Sequence, residues 1–248
     1  MWKGDFMEEI MLSIYVPTYN HEKYIAQALD SILMQKTKYT YEILVGEDAS
    51  TDGTREILKE YERKYPGKFK MYYRKKNMHK QKIRNAMDLI RRCRGKYIIA
   101  LEGDDFWIDE NKIEEQIDFL ESHQEYIAVA HNCVVVDQES IPNGEEYPEC
   151  KENDYTIKHY ISGILPGQLT TVMRRNYYRY NIMDTSILDR GLMPGDRVLY
   201  LALILNGKVH CIQKKMSAYR HVVNSGFSYS ATVTNEFKDI EKLNREMI

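Results

Sequence analysis

KYIIALEGDDFW, residues 96–107, runs an apolar segment straight into a knot of acid. Tyr97-Ile98-Ile99-Ala100-Leu101 reads as a buried strand. Asp104 and Asp105 follow it side by side, with Glu102 just before them. Adjacent carboxylates repel and raise one another's pKa. A positive partner is therefore expected at the open end of this strand.

On the N-terminal side the same unit repeats. MLSIYV (11–16) reads as a strand that Pro17 stops, and Asn20 is placed to cap a helix over about 21–36. Ile25, Ala28, Leu29, Ile32 and Leu33 give that helix one apolar face. YEILVG (41–46) is a second strand, and Ser50 or Thr51 can cap the helix carrying Ile57, Leu58 and Tyr61. FKMYY (69–73) is a third strand. The basic loop RKKNMHKQK (74–82) leads into a helix with Ile83, Met87 and Ile90 inward, which Gly95 ends. Four strands alternating with three helices predict a parallel, doubly wound sheet. In such sheets ligands bind beyond the carboxyl ends of the strands. That rule selects PTYN (17–20), EDASTDGT (47–54) and EGDDFW (102–107).

On the C-terminal side the rhythm changes. DENKIEEQIDFLESH (109–123) is an amphipathic helix, and YIAVAHNCVVV (126–136) a longer strand. QLTTVMRR (168–175) reads as a strand, PGDRVLYLALILNG (194–207) as a capped helix, and KVHCI and KMSAY as two short strands. The tail from about 233 looks helical. This half is α+β and completes the same domain.

Carboxylates at a strand end are hard oxygen ligands for Mg²⁺ or Mn²⁺, and magnesium adds phosphate oxygens to one or two of them. Asp104 and Asp105 would equally cap the helix starting near Asp109, although a cap needs one such residue. The local sequence leaves both readings standing. Asp48 could accept from a nucleobase or a ribose hydroxyl, or simply belong to a capped loop. Asp196 stands at a helix N-terminus, where a cap is the plainer local reading. Arg220 and His221, after a short strand, could meet a diphosphate or a metal. The basic loop is a solvated turn or a lid that screens a diphosphate. Neither a phosphate loop of the G-x-x-x-x-G-K-[ST] type nor a G-x-G-x-x-G turn occurs.

The bulk numbers set limits. The chain has 248 residues, 43% hydrophobic and 29% charged, with a formal net charge of −2. That composition supports a normal core and gives no electrostatic case for nucleic acid or an anionic membrane. Tyrosine is abundant, at 20 residues, and suits pockets for ringed polar ligands. The four cysteines form no C-x-x-C pair, so zinc is not expected, and they read as small apolar residues of a reducing cytosol. Asp5, Glu8 and Glu9 interrupt any signal-peptide core, and no run is long enough to span a membrane. The expected location is cytoplasmic, with at most a peripheral visit to the inner membrane.

Taken in order, VPTYN (16–20), EDASTDGT (47–54), two asparagines at Asn77 and Asn85, GKYIIALEGDDFW (95–107) and a late Gly195-Asp196 resemble the family 2 glycosyltransferases of GT-A fold. The resemblance covers roughly residues 11–228. It implies an α/β architecture, with a Rossmann-like, mostly parallel central sheet flanked by helices and a smaller α+β acceptor-side half. A single domain over 1–248 would divide into a nucleotide-sugar half (11–108), an acceptor-side half (109–232) and a helical tail (233–248). Pro17, Thr18 and Tyr19 would line the nucleotide pocket, Asp48 would hold the base, and Arg84 and Asn85 would lie nearby. Asp104 and Asp105 would meet ribose and a Mn²⁺ or Mg²⁺ ion, Asp196 would be the catalytic base, and His221 a further metal or diphosphate contact. Glu47, Glu102 and Met78 depart from the family's commoner Asp, Asp and Gly, and direct coordination by Glu102 is not expected. The Q-x-x-R-W element of processive synthases is absent after Asp196, which favours transfer of one sugar, from a UDP-sugar by default, to a glycan or lipid-linked acceptor in surface polysaccharide assembly. The rival readings are a sugar nucleotidyltransferase, against which PTYNHEKY (17–24) speaks because it lacks a Gly-rich basic signature, and a non-catalytic binding module.

Overall fold

A computed structural model describes residues 9–78, 84–183 and 195–221. The first half follows the expected alternation: β1 (Leu12–Thr18), α1 (Ile25–Leu33), β2 (Tyr41–Glu47), α2 (Thr54–Lys64), β3 (Phe69–Tyr73), α3 (Asn85–Arg92) and β4 (Tyr97–Ala100). β1 lies between β2 and β4, parallel to both, and β3 pairs parallel with β2. Both faces of these strands are covered, so they read as continuous apolar runs. On one face Ile14, Val16, Ile43 and Ile99 meet Ile25, Leu29 and Ile32 of α1 and Leu58 of α2. On the other, Tyr15, Leu44, Ile98 and Ala100 meet Leu89 and Ile90 of α3.

The second half adds β5 (Phe106–Trp107), α4 (Lys112–Ser122), β6 (Tyr126–Val136), β7 (Asp154–Tyr155), α5 (Ile157–Ile161), a 3-10 turn (Leu169–Thr171), β8 (Met173–Arg175), α6 (Tyr177–Tyr180), α7 (Gly195–Asn206) and β9 (Lys208–Arg220). The sheet runs β3-β2-β1-β4-β8-β6-β9-β5, with β7 also on β9. β8 is antiparallel to both β4 and β6, while β6 and β9 are parallel.

Several local expectations change, among them the cap of α2, whose N-cap is Gly53 and not Ser50 or Thr51. QLTTVMRR is a 3-10 turn followed by a three-residue strand, because Gln168 Oε1 accepts the Thr170 N–H and hydroxyl and bends the chain. KVHCI and KMSAY form one strand of 13 residues, whose polar middle is absorbed by register shifts opposite His131, Asn132 and Cys133. Asn20 does not cap α1, which starts at Ile25 behind Tyr24. α3 ends at Arg92, and Gly95 is needed instead for close approach: a Cβ there would fall 2.5 Å from the backbone nitrogen of Ser13. The predicted helical tail, Ile83 and the last part of the basic loop lie outside the described residues.

Candidate active site

The three loops selected by the sheet rule interlock at the carboxyl ends of β1, β2 and β4. Asn20 adopts φ 56° and receives the Thr51 N–H on its side-chain oxygen at 2.8 Å, while its own N–H donates to Ser50 Oγ. The His21 N–H donates to Thr54 Oγ1, the Glu22 N–H to Asp52 Oδ2, and the Gly53 N–H to Glu22 Oε2. The acidic loop joins from the other side, with the Gly103 N–H on the Pro17 carbonyl at 3.3 Å. A Cβ on Gly103 would sit 2.6 Å from Thr18 Oγ1 and 2.7 Å from His21 Nδ1, so only glycine permits this approach.

Glu102, Asp104 and Asp105 offer carboxylate oxygens that all lie within 4.8 Å of one another. Asp105 is buried, with Oδ1 accepting the Arg220 N–H at 2.8 Å and Oδ2 accepting Gln168 Nε2 at 3.0 Å. Asp104 is the more open acid, 20% exposed, with His21 Nε2 at 3.8 Å. Burial, then the charges of Asp104 and Asp196, push the Glu102 carboxyl up to about 8. Burial, Asp104 and Glu102 drive Asp105 well above the carboxylate range, against a pull down from Arg220. Asp196, in the first turn of α7, is raised by burial, and the Arg197 N–H that donates to its Oδ1 at 2.8 Å opposes this. Four acids thus bear on one another, three of them with strained ionisation.

The donor set fits a hard divalent cation: carboxylate oxygens only, closely spaced, with Glu102 and Asp105 disfavoured as anions in the ligand-free protein. The Arg220 guanidinium does not take that place. It donates to the carbonyls of Asp104, Asp137 and Gln138 and to Gln27 Oε1, and lies 4.2 Å from the centre of the Tyr24 ring. His221 is not part of the acid cluster; its Nδ1 faces Glu145 Oε2 at 2.5 Å.

The remaining sequence candidates fall at the same end of the sheet with differing freedom. Thr18 is buried, and Pro17 and Tyr19 beside it are half-buried. Asp48 is buried beside the basic loop and accepts the Met78 N–H on Oδ1 at 2.8 Å. Glu47 serves the loop itself, accepting the Ser50 N–H and pairing with Arg55. Arg84 is exposed ahead of α3. Asn85 was expected near a nucleotide, but its amide is committed inside the protein: Nδ2 donates to the Gly46 carbonyl at 2.7 Å and Oδ1 accepts from Arg74 Nε at 3.0 Å.

Sequence reasoning missed Gln168 and His21, and it set Glu102 aside. Gln168 gave a faint signal as an amide heading a Thr-rich run; its donation to Asp105 and, at 3.5 Å, to Glu102 reaches across 63 and 66 residues. Glu102 belongs to the triad despite its extra methylene.

Comparison with known proteins bears on this geometry. The family model described as "Glycosyl transferase family 2" matches residues 13–181. An uncharacterised protein of Mycobacterium tuberculosis is 29% identical over 209 residues, covering 84% of this chain and 58% of that protein. The chain therefore spans a little over half the length of the first curated relatives it matches. TuaG of Bacillus subtilis, described as a teichuronic acid biosynthesis glycosyltransferase, is 28% identical over 217 residues, covering 87% of this chain and 81% of that one. Among solved structures, S. aureus TarS in complex with UDP-GlcNAc superposes with a TM-score of 0.69 at 19% identity, covering 94% of this chain and 65% of that chain. The fold is shared with TarS, and because the family match runs from β1 through the acidic turn to the end of α6, the chain belongs to glycosyl transferase family 2.

Proposed function

We propose that this glycosyltransferase is metal-dependent and inverting, and that it moves one sugar from a nucleotide-diphospho-sugar to a hydroxyl of a glycan or lipid-linked acceptor. The observation that carries this reading is the convergence of Glu102, Asp104 and Asp105 with Asp196 at the carboxyl end of the sheet. A UDP-sugar is the first donor to test, since TarS was solved with UDP-GlcNAc. Surface-polysaccharide assembly is the matching context, since TuaG is described by a role in teichuronic acid.

In this reading Asp48 and the Thr18–Tyr19 turn hold the nucleoside. Asp104 and Glu102 would hold Mn²⁺ or Mg²⁺, with Asp105 as the buried acid that fixes the turn through Gln168 and the Arg220 N–H. Such an ion, when bound, offsets the charge that grows on a departing diphosphate. Asp196 takes the proton of the acceptor hydroxyl, and burial supports this by raising its carboxyl toward working pH. The freed oxygen attacks the anomeric carbon from the face opposite the diphosphate, so the configuration inverts without a sugar bound to protein. His21 Nε2, 3.8 Å from Asp104, lines the same end of the site.

The test is nucleotide release from a panel of UDP-, dTDP- and GDP-sugars with Mn²⁺ and after chelation. Release that depends on the ion supports the reading. Release untouched by exhaustive chelation removes the metal, and no release with any donor or acceptor removes the transferase.

A further inference from the structure

Tyr200 lies one helical turn beyond Asp196 on α7, so the two side chains share a face of the helix. Its ring is fully buried in the core formed by α7, β6 and β9, and its hydroxyl has no hydrogen-bond partner among the described residues. A buried hydroxyl left unpaired is a standing cost to the fold, and phenylalanine would fill the same space without it. The surroundings are nevertheless charged. Asp196, Glu102 and Arg174 all act on this hydroxyl, and so does Tyr147. Tyr147 comes from the loop after β6, is held edge-on to Tyr219 at 5.4 Å, and feels Asp196 and Glu102 as well.

The neighbours of the hydroxyl limit where its proton can go. Arg174 is buried, donates through Nη2 to the Tyr15 hydroxyl at 2.8 Å, and leaves Nε and Nη1 without hydrogen-bond partners among the described residues. A guanidinium only donates. Arg174 therefore cannot accept the proton of the Tyr200 hydroxyl.

We infer that Tyr200 is a specificity-determining residue whose hydroxyl bonds to a hydroxyl of the transferred sugar when that sugar lies between the acid triad and Asp196. The inference rests on the transferase reading and deepens it. A sugar hydroxyl both donates and accepts, so it would satisfy a tyrosine that no described residue satisfies. Sites built in this way discriminate strongly, because a sugar lacking the hydroxyl leaves the buried group unpaired. Tyr147, half-buried beside the same acids, supplies a wall for the ring.

Tyr200→Phe tests this in two ways. Without ligand the variant should unfold at the same temperature as the parent or up to about 4 °C higher, since it loses no internal bond; a fall of several degrees would show a bonded hydroxyl and overturn the inference. With Mn²⁺ and UDP-GlcNAc, UDP-glucose, UDP-galactose and GDP-mannose as probes, the variant should lose ~10-fold or more in kcat/KM for the donor the parent prefers. The other donors should change little, and the affinity for UDP alone should stay the same. Equal loss across donors, weaker UDP binding or an unchanged donor profile would each overturn it. A parent that releases no nucleotide from any donor would instead remove the transferase reading, and the inference with it.

Discussion

Under the proposed function Asp196 accepts a proton, and burial raises its carboxyl in the direction that role needs. Asp196→Asn keeps the size and the link to the Arg197 N–H but removes the base, so turnover should fall by about 10²–10⁴ while nucleotide affinity holds. Steady-state nucleotide release and titration of UDP with Mn²⁺ check both halves; retained turnover would clear Asp196 of the role. Glu102 makes a prediction of opposite flavour. Its folded carboxyl titrates at about 8, above the ordinary 4.5, so between those values the ligand-free fold binds more protons than the unfolded chain. Its contribution to stability is present below about 4.5 and is lost as pH rises through about 8. Lys112 and His131, both buried and both depressed, tilt the whole-protein profile the other way, so the comparison must be differential. Glu102→Gln should gain on the parent in unfolding temperature as pH climbs from 5 to 8, and lose stabilisation by Mn²⁺. Parallel temperature profiles would mean that Glu102 is not squeezed by its neighbours.

At the scale of elements, the site depends on two loops fastened to each other and a third pressed against them. Gly103→Ala would drive a methyl group into Thr18 and His21, which we expect to cost about 1–3 kcal/mol of stability and at least as much in nucleotide affinity. Asn20→Ala removes the acceptor for Thr51 and leaves alanine at φ 56°; Asn20→Gly removes only the acceptor. The glycine variant should therefore unfold at the higher temperature of the two, and the reverse order would mean that backbone strain there is unimportant. The contrast explains what the sequence made legible. Apolar runs ending in Asp48, Asp104 and Asp105 announce themselves, because strand, turn and acid are consecutive. Asn20, Glu22 and Asp52 look like ordinary helix caps, and only their registration across about thirty residues reveals the fastening. Asn85 shows the complementary limit: the sequence places it in the segment ahead of α3, and only the structure shows that a glycine at position 46 opens the room that its amide fills.

At the scale of the molecule, one sheet joins the two halves of the chain, and Asp105 is held from two elements of the second. One oxygen is held from the 3-10 turn by Gln168 and the other from the end of β9 by the Arg220 N–H, partners 63 and 115 residues away in sequence. No local pattern foretells such contacts, which is why the strand–helix alternation of the first half could be read from the chain and the links between the halves could not. The same arrangement makes ligand binding a whole-molecule event. Glu102 and Asp105 are disfavoured as anions in the ligand-free fold; under the proposed function a cation would relieve part of that repulsion, and a nucleotide diphosphate would strengthen its hold. Mn²⁺ and UDP together should then raise the unfolding temperature by more than the sum of their separate effects. At a hundred times the dissociation constant the gain is about 2.7 kcal/mol, or roughly 5–10 °C for a chain of this size. UDP with chelator should give little, and Asp104→Asn should abolish the synergy without lowering the ligand-free unfolding temperature. Additive shifts from ion and nucleotide, in the parent and in Asp104→Asn alike, would mean that the two bind apart and that the triad does not join them.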